Sequence, residues 1–253
     1  MSAAADTALS VRGLSKAFGA LQVAQSISLD LKRGARVGLI GPNGAGKTSF
    51  VNLLTGVLSA DAGSIVLGGA DITRMKPETR VRLGLARTHQ INTLLNETSL
   101  RENIAIAVAE REGIAWRTLR FTRRWKQCLA EAEEQLASLG IGGLGDRIVK
   151  ELPYGEQRLL EIAIALVLKP RVLLLDEPAA GVPAAEARAI HDVLERLPAD
   201  IAILMIEHDM DLVFRFAREI TVLVQGRVLT SGTPKEIAAD PQVRAVYLGR
   251  SAA

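Results

Sequence analysis

The sequence predicts an α/β fold, on three observations. Short apolar runs recur along its 253 residues, Val37–Ile40 and Val172–Leu175 being the clearest. Strands covered on both faces read this way. A glycine-rich stretch, Gly41-Pro42-Asn43-Gly44-Ala45-Gly46-Lys47-Thr48, joins the first run to a helix start at Thr48–Leu54. Hydrophobic residues make up 48% of the chain and aromatic residues only 4%, so Ala, Val, Leu and Ile must build the interior.

In chain order, Ser2–Thr7 reads as a loose end and Leu9–Leu14 as a strand. Ile27, Leu29 and Leu31 alternate with Ser28 and Asp30, the pattern of a half-buried strand. Lys32-Arg33-Gly34 then turns the chain into Val37–Ile40. Ser64–Leu67 is a further strand, Pro77–Leu83 a helix, and Leu85–Thr88 a strand that delivers Gln90 to its end. From Ile91 to about Leu152 the chain reads as helix after helix, an insert within the α/β core. Ser99-Leu100-Arg101-Glu102 is a capping box. Trp125, Cys128, Leu129, Ala132, Leu136 and Leu139 keep helical spacing up to Gly140. Strands return at Val172–Leu175, Ile201–Ile206 and Ile220–Val224, with a helix over Ala184–Leu197. Gln225-Gly226-Arg227 is a hairpin turn. Thr233-Pro234-Lys235-Glu236 is a second capping box, with proline at the first helical position. Asp240-Pro241 opens a last short helix.

Composition narrows the function classes. The single cysteine, Cys128, leaves no internal disulfide framework and fits a small core residue in a reducing compartment. Met1–Leu9 lacks the basic start and apolar run of a secretory signal. No stretch reaches the roughly 18 apolar residues of a membrane span, so a soluble chain is expected. Net charge is +3 and the sequence pI about 9.2, which permits an anionic partner without requiring one. Trp116–Lys126 is basic with interleaved aromatics. A solvated helix face with apolar anchors is preferred there over a nucleic-acid patch or lipid-headgroup contact, and no nucleic-acid partner is expected.

Gly41–Thr48 matches G-x-x-x-x-G-K-[ST], the phosphate-loop pattern. Its glycines let the backbone curl so that N–H groups converge on an anion. The helix that follows adds its positive end. Lys47 then reaches the β- and γ-phosphates, and the Thr48 hydroxyl binds Mg²⁺. A plain glycine-rich turn gives no reason for Lys-Thr after the last glycine. Downstream, Val172–Leu175 runs into Asp176-Glu177-Pro178, which places two carboxylates at the carboxyl end of a strand, where ligands sit in open α/β sheets. Asp176 is assigned to the Mg²⁺ shell, and Glu177 to general-base work on a water that attacks the γ-phosphate.

With these motifs the chain resembles the ATPase subunits of ATP-binding cassette (ABC) transporters. The family's third motif appears as Leu152-Pro153-Tyr154-Gly155-Glu156-Gln157. The resemblance covers essentially Leu9–Leu248. It implies a phosphate-loop NTPase core of the ABC type with an antiparallel β subdomain and a nested helical subdomain. It implies one nucleotide-binding domain over residues 8–248, with the helical subdomain at about 91–152 and a tail from about 233. It also implies site roles. ATP is bound by Phe18, which stacks on adenine, and by Gly41, Pro42, Asn43, Gly44, Ala45, Gly46, Lys47, Thr48 and Ser49. Thr48, Gln90 and Asp176 serve Mg²⁺. Glu177, His208 and Gln90 are catalytic. Tyr154, Gly155, Glu156 and Gln157 face the nucleotide of a second subunit, and Ala180-Gly181-Val182-Pro183 is a dimer-contact loop. His89 and His191 match no family position.

A narrower resemblance, to the larger (LivG-type) ATPase subunit of branched-chain amino-acid importers, rests on Gly84–Gln90, Tyr154–Arg158, Pro178–Gly181 and Val243–Gly249. It implies ATP hydrolysis driving amino-acid import, at the cytoplasmic face of the inner membrane. The implied partners are transmembrane permease subunits, a second homologous ATPase and, indirectly, a periplasmic binding protein. The alternatives are an ATPase driving lipopolysaccharide or other export, and a soluble non-transport ATPase of the superfamily. Two departures stand out. Pro153 replaces the signature serine and Pro183 an Asp or Asn. They point to an asymmetric pair, with a different ATPase as the partner.

Overall fold

The computed structural model describes residues 6–88, 94–114 and 123–248. The chain divides into two compact units. The first holds the described residues up to Leu85, Arg171–Glu177 and those from Pro198 onward. The second holds Ala86–Pro170 and Pro178–Leu197.

The first unit contains two sheets. Strands β1 (Thr7–Phe18), β2 (Leu21–Lys32), β4 (Ala62–Leu67) and β5 (Ala70–Asp71) form an antiparallel sheet in the order β2-β1-β4-β5. β1 is longer than Leu9–Leu14 predicts. Register shifts along its pairing with β2 break the alternation on which that prediction rests. On β2, Ile27, Leu29 and Leu31 are buried as expected.

The second sheet runs β10 (Arg227–Gly232), β9 (Glu219–Val224), β3 (Arg36–Ile40), β8 (Ala202–Ile206), β7 (Val172–Asp176). β3 pairs in parallel with β8 and β9, and β7 with β8. The short strand β6 (Leu85–Arg87) begins in this unit at Leu85. Its approach is fixed by Gly84, whose carbonyl accepts from the N–H groups of Arg171 (2.8 Å) and Val172 (3.0 Å).

β7 and β8 are buried at every residue, which is why they read as uninterrupted apolar runs. Alternation on β3 divides the core. Val37 and Leu39 join Phe50, Val51, Leu53 and Leu54 of helix α1 (Lys47–Thr55). Ile40 joins Ile220 and Val222 with residues from α7 (Met210–Phe216), α8 (Pro234–Ala239) and α9 (Pro241–Leu248). Gly38 admits α7, because a Cβ there would lie 2.6 Å from Val213. Thr233 and Glu236 form the expected capping box at the start of α8.

The carboxyl end of α1 is closed by Arg80 of α2 (Pro77–Arg82). This buried guanidinium donates to the carbonyls of Leu53 (2.7 Å), Leu54 (2.6 Å), Thr73 (2.9 Å) and Met75 (3.0 Å). A cation on orphan carbonyls satisfies the negative end of the helix, and so anchors the helix whose other end faces the phosphate loop.

The second unit is helical: α3 (Leu100–Arg111), α4 (Arg123–Ser138), α5 (Tyr154–Val167) and α6 (Ala184–Glu195). The helical insert expected at about 91–152 is therefore narrower than this unit. α5 packs on α3 and α4, and α6 on α5. Both capping-box bonds at Ser99 and Glu102 form. Cys128, Ala132 and Leu136 are the buried stripe of α4, and burial pushes the Cys128 thiol up from its ordinary pKa. Arg111 bridges α3 to α4 through Glu131 (2.7 and 2.9 Å) and to the end of α5 through the Val167 carbonyl (2.6 Å). Of Trp116–Lys126, residues 116–122 lie outside the described residues.

Candidate nucleotide site

β3 delivers the chain to Gly41, and α1 leaves at Lys47. Glycine is required at both ends of the loop. Gly41 has φ +156°, and a Cβ there would collide with the carbonyl of Leu223. Gly46 has φ +100°, and its Cβ would stand 2.5 Å from the carbonyl of Val23. Val23 is brought close by the register slip between Lys16↔Ala24 and Ala17↔Gln22, which leaves it the extra residue of β2. The N-cap Gly46 contributes no side-chain bond, and the first turn of α1 holds no acid. The loop thus presents an uncapped helix start, suited to an anion.

A cleft of about 770 Å³ lies over this start. Its lining includes Asn43, Gly44, Ala45, Gly46, Lys47, Thr48 and Ser49 of the loop, and Glu177. The opposing wall is Ala20–Val23 of the β1–β2 hairpin, with Gln25, Gln225 and Gly226. The hairpin turn expected over Gln225–Arg227 is made by two residues, Gln225 (φ +49°) and Gly226 (φ +76°), both left-handed, with Arg227 already in β10. Gln25 pins that turn: its N–H donates to the Gly226 carbonyl (2.7 Å) and its amide to the Gln225 carbonyl (2.9 Å).

Lys47 is half-buried, and Nζ donates to the carbonyls of Gly41 (2.6 Å) and Pro42 (3.2 Å). Burial lowers its pKa, while Glu177 and Asp176 pull the other way. Asp176 ends β7 and is buried; Glu177 follows in a left-handed conformation (φ +47°), its N–H donating to the Ile206 carbonyl (2.9 Å). This turn aims the second carboxylate at the loop. His208 follows β8, with Nδ1 3.7 Å from Glu177 Oε1 and 3.7 Å from Glu207 Oε2. Asp209 then caps α7 through the N–H groups of Asp211 and Leu212. The first unit therefore gathers the phosphate loop, Asp176, Glu177 and His208 at the carboxyl ends of β3, β7 and β8.

Phe18 ends β1 opposite Leu21 and is 53% exposed, so it is not a core residue; it is not among the residues lining the cleft. Gln90 and His89 lie outside the described residues. Two neighbours are absent from the sequence-based assignment. Glu207 is 1% exposed and holds the His208 N–H (3.1 Å); an acid directly before a strand-end histidine is its signal. Tyr247 packs beside Ile40 and hydrogen-bonds the Gly41 backbone. Only tertiary folding brings α9 to the loop.

The signature residues belong to the second unit. Pro153 is the N-cap of α5 and offers no side-chain bond. The Gly155 N–H is taken: it donates to Glu186 Oε2 (2.8 Å), and a Cβ on Gly155 would lie 2.6 Å from that oxygen. Glu156 lies 3.5 Å from Arg147, Gln157 donates to the Leu152 carbonyl (3.0 Å), and Arg158 stacks on Tyr154.

The ABC transporter family model matches residues 24–180. The chain belongs to the ABC transporter ATPases. A second model, described as branched-chain amino acid ATP-binding cassette transporter, matches residues 227–253. The chain is 37% identical to LivG, the high-affinity branched-chain amino acid transport ATP-binding protein of Salmonella typhimurium, over 96% of this chain and 98% of that one. It is 34% identical to BraF of Pseudomonas aeruginosa, named in the same words, over 96% and 98%. Among solved structures, an ATP-binding cassette of an ABC transporter in its ADP conformation superposes with TM-score 0.83 at 30% identity, over 96% of this chain and 99% of that one. A nucleotide-free cassette gives 0.81 at 28%, over 95% and 98%. The fold is that of a phosphate-loop ABC ATPase, and the chain is an ATP-hydrolysing transporter subunit. Among the described residues no helix is long and apolar enough to cross a membrane.

Proposed function

We propose that this ATPase drives import of branched-chain or related amino acids. The observation that carries the reading is the match of residues 227–253 to the branched-chain amino acid transporter model, beside near full-length relatives named for that cargo. The partners are transmembrane permease subunits, a second homologous ATPase and, through the permease, a periplasmic binding protein; the station is the cytoplasmic face of the inner membrane. The domain spans residues 8–248.

The chemistry follows from the site. The loop N–H groups and the α1 start hold the phosphates, and Lys47 leaves its own carbonyls to neutralise the β- and γ-oxygens. Thr48 and Asp176 offer a hydroxyl and a carboxylate, hard oxygen donors that fit Mg²⁺; the family resemblance assigns Gln90, outside the described residues, to the same ion. Bound there, the ion neutralises charge on the phosphate oxygens. Glu177 takes the proton of the attacking water, and His208 contacts the γ-phosphate. Phe18 stacks on the base. Tyr154, Gly155, Glu156 and Gln157 serve the nucleotide of the second ATPase. Pro153 has no N–H to offer it, so the pair is asymmetric.

Deletion of the gene in its own host tests the cargo. Uptake of radiolabelled leucine, isoleucine and valine should fall and return with the wild-type gene but not with Glu177→Gln. Uptake that stays normal in the deletion strain would remove the import reading.

A further inference from the structure

Lys16 and Asp61 belong to none of the motifs of the site. Lys16 Nζ stands over the ring of Phe18, 5.6 Å from its centroid. The same ammonium bonds Asp61 Oδ1 at 2.6 Å. Asp61 Oδ2 accepts from the N–H of Ala17 (2.8 Å), between Lys16 and Phe18, and the Asp61 N–H donates to the Ser15 carbonyl (2.9 Å). Asp61 therefore grips the end of strand β1 at three points and fixes the ammonium. The Lys16 side chain is only 16% exposed, while Phe18 is 53% exposed. One face of the ring is thus set against a cation, on a residue that is about half exposed. Lys16 bonding holds the Asp61 carboxyl below the usual range, with the Ala17 N–H as the second cause.

A partly exposed Lys–Asp pair contributes little to stability, so stability alone does not account for the arrangement. An aromatic ring at a hairpin end is free to turn, and a cation on its face restrains it by a quadrupole attraction. We infer that Lys16 and Asp61 are positioning residues for base recognition: Asp61 fixes Lys16, and Lys16 orients the Phe18 ring so that its other face receives a nucleobase. This rests on the reading that Phe18 stacks on the base. Stacking uses any π-face, so the effect should be shared by adenine and guanine nucleotides and absent for a ligand with no base.

Binding of MgATP, MgGTP and inorganic tripolyphosphate to the full chain by calorimetry tests this. Lys16→Met should weaken both nucleotides by about two- to five-fold and leave tripolyphosphate unchanged. Lys16→Arg should restore nucleotide affinity, Asp61→Asn should reproduce the loss in part, and Lys16→Met should add nothing in a Phe18→Ala background. If Phe18→Ala weakens ATP binding and Lys16→Met does not, the positioning role is overturned while stacking survives. Equal weakening of ATP and tripolyphosphate by Lys16→Met would make Lys16 a general structural residue. Unchanged ATP affinity in Phe18→Ala would overturn the stacking reading and the role of Lys16 together.

Discussion

Helices α1 and α5 both begin without a capping side chain, and their surroundings give them opposite character. α1 starts after Gly46, has no acid in its first turn, and opens onto a cleft of about 770 Å³. α5 starts after Pro153, has Glu156 in its first turn, and has its Gly155 N–H filled by Glu186. An uncapped helix start attracts an anion in either case. At α1 the protein leaves that anion to be supplied from solution. At α5 it supplies a carboxylate of its own. Glu186 also sits in the first turn of α6, whose N-cap Pro183 contributes no side chain either. One carboxylate thus serves two proline-started helices. A phosphate that is to use the Gly155 N–H must displace it.

The largest effect should appear at the open end. Glu177→Gln should lower turnover by about 10²–10⁴-fold while ATP still binds, because the amide keeps the shape but accepts no proton. Single-turnover hydrolysis beside equilibrium ATP binding checks this, and near-normal turnover would remove Glu177 as the base. Lys47→Ala should come next, weakening ATP and ADP alike. His208→Ala should keep both affinities and slow hydrolysis. Equal loss of ADP affinity in both variants would erase the distinction between them.

The closed end should respond in stability rather than in nucleotide binding. Glu186→Ala strands the Gly155 N–H and should cost about 1–3 kcal/mol, read as a lower urea midpoint with unchanged ATP affinity of the isolated chain. A normal midpoint would mean that water replaces the carboxylate at no cost.

The smallest effect is a pH dependence in the same helical unit. Glu131 is held down to about 2, first by its bonds to Arg111, against an ordinary 4.5. A depressed carboxylate contributes stability above its unfolded pKa, which is lost as pH falls through the folded one. The contribution should therefore fade from about pH 4.5 toward pH 2. Glu131→Gln should flatten that limb of the unfolding curve; an unaltered limb would assign it to other carboxylates.

The difference between the two helix starts was only half legible in the sequence. The open start is a local object: Gly41 to Thr48 are consecutive, and the strand and helix around them carry their own periodicity. Asp176 and Glu177 were legible because they close the apolar run Val172–Leu175; His208 was legible only through the family resemblance. The plug on α5 was not, because Gly155 and Glu186 are far apart in sequence and meet through helix packing. Arg80 on the carbonyls of Leu53 and Leu54 and Tyr247 on Gly41 were hidden for the same reason. The full length of β1 was hidden by its register shifts. Gln90 lies outside the described residues, so its place in the site is carried by sequence alone.

Residue-resolved amide hydrogen exchange, with and without MgATP, tests the contrast most directly. In the isolated chain, MgATP should protect the amides of Gly44–Thr48 and leave Gly155 unchanged; in Glu186→Ala, Gly155 should exchange faster without nucleotide. Protection of Gly155 by MgATP in the wild-type chain, or an unprotected phosphate loop, would contradict the account.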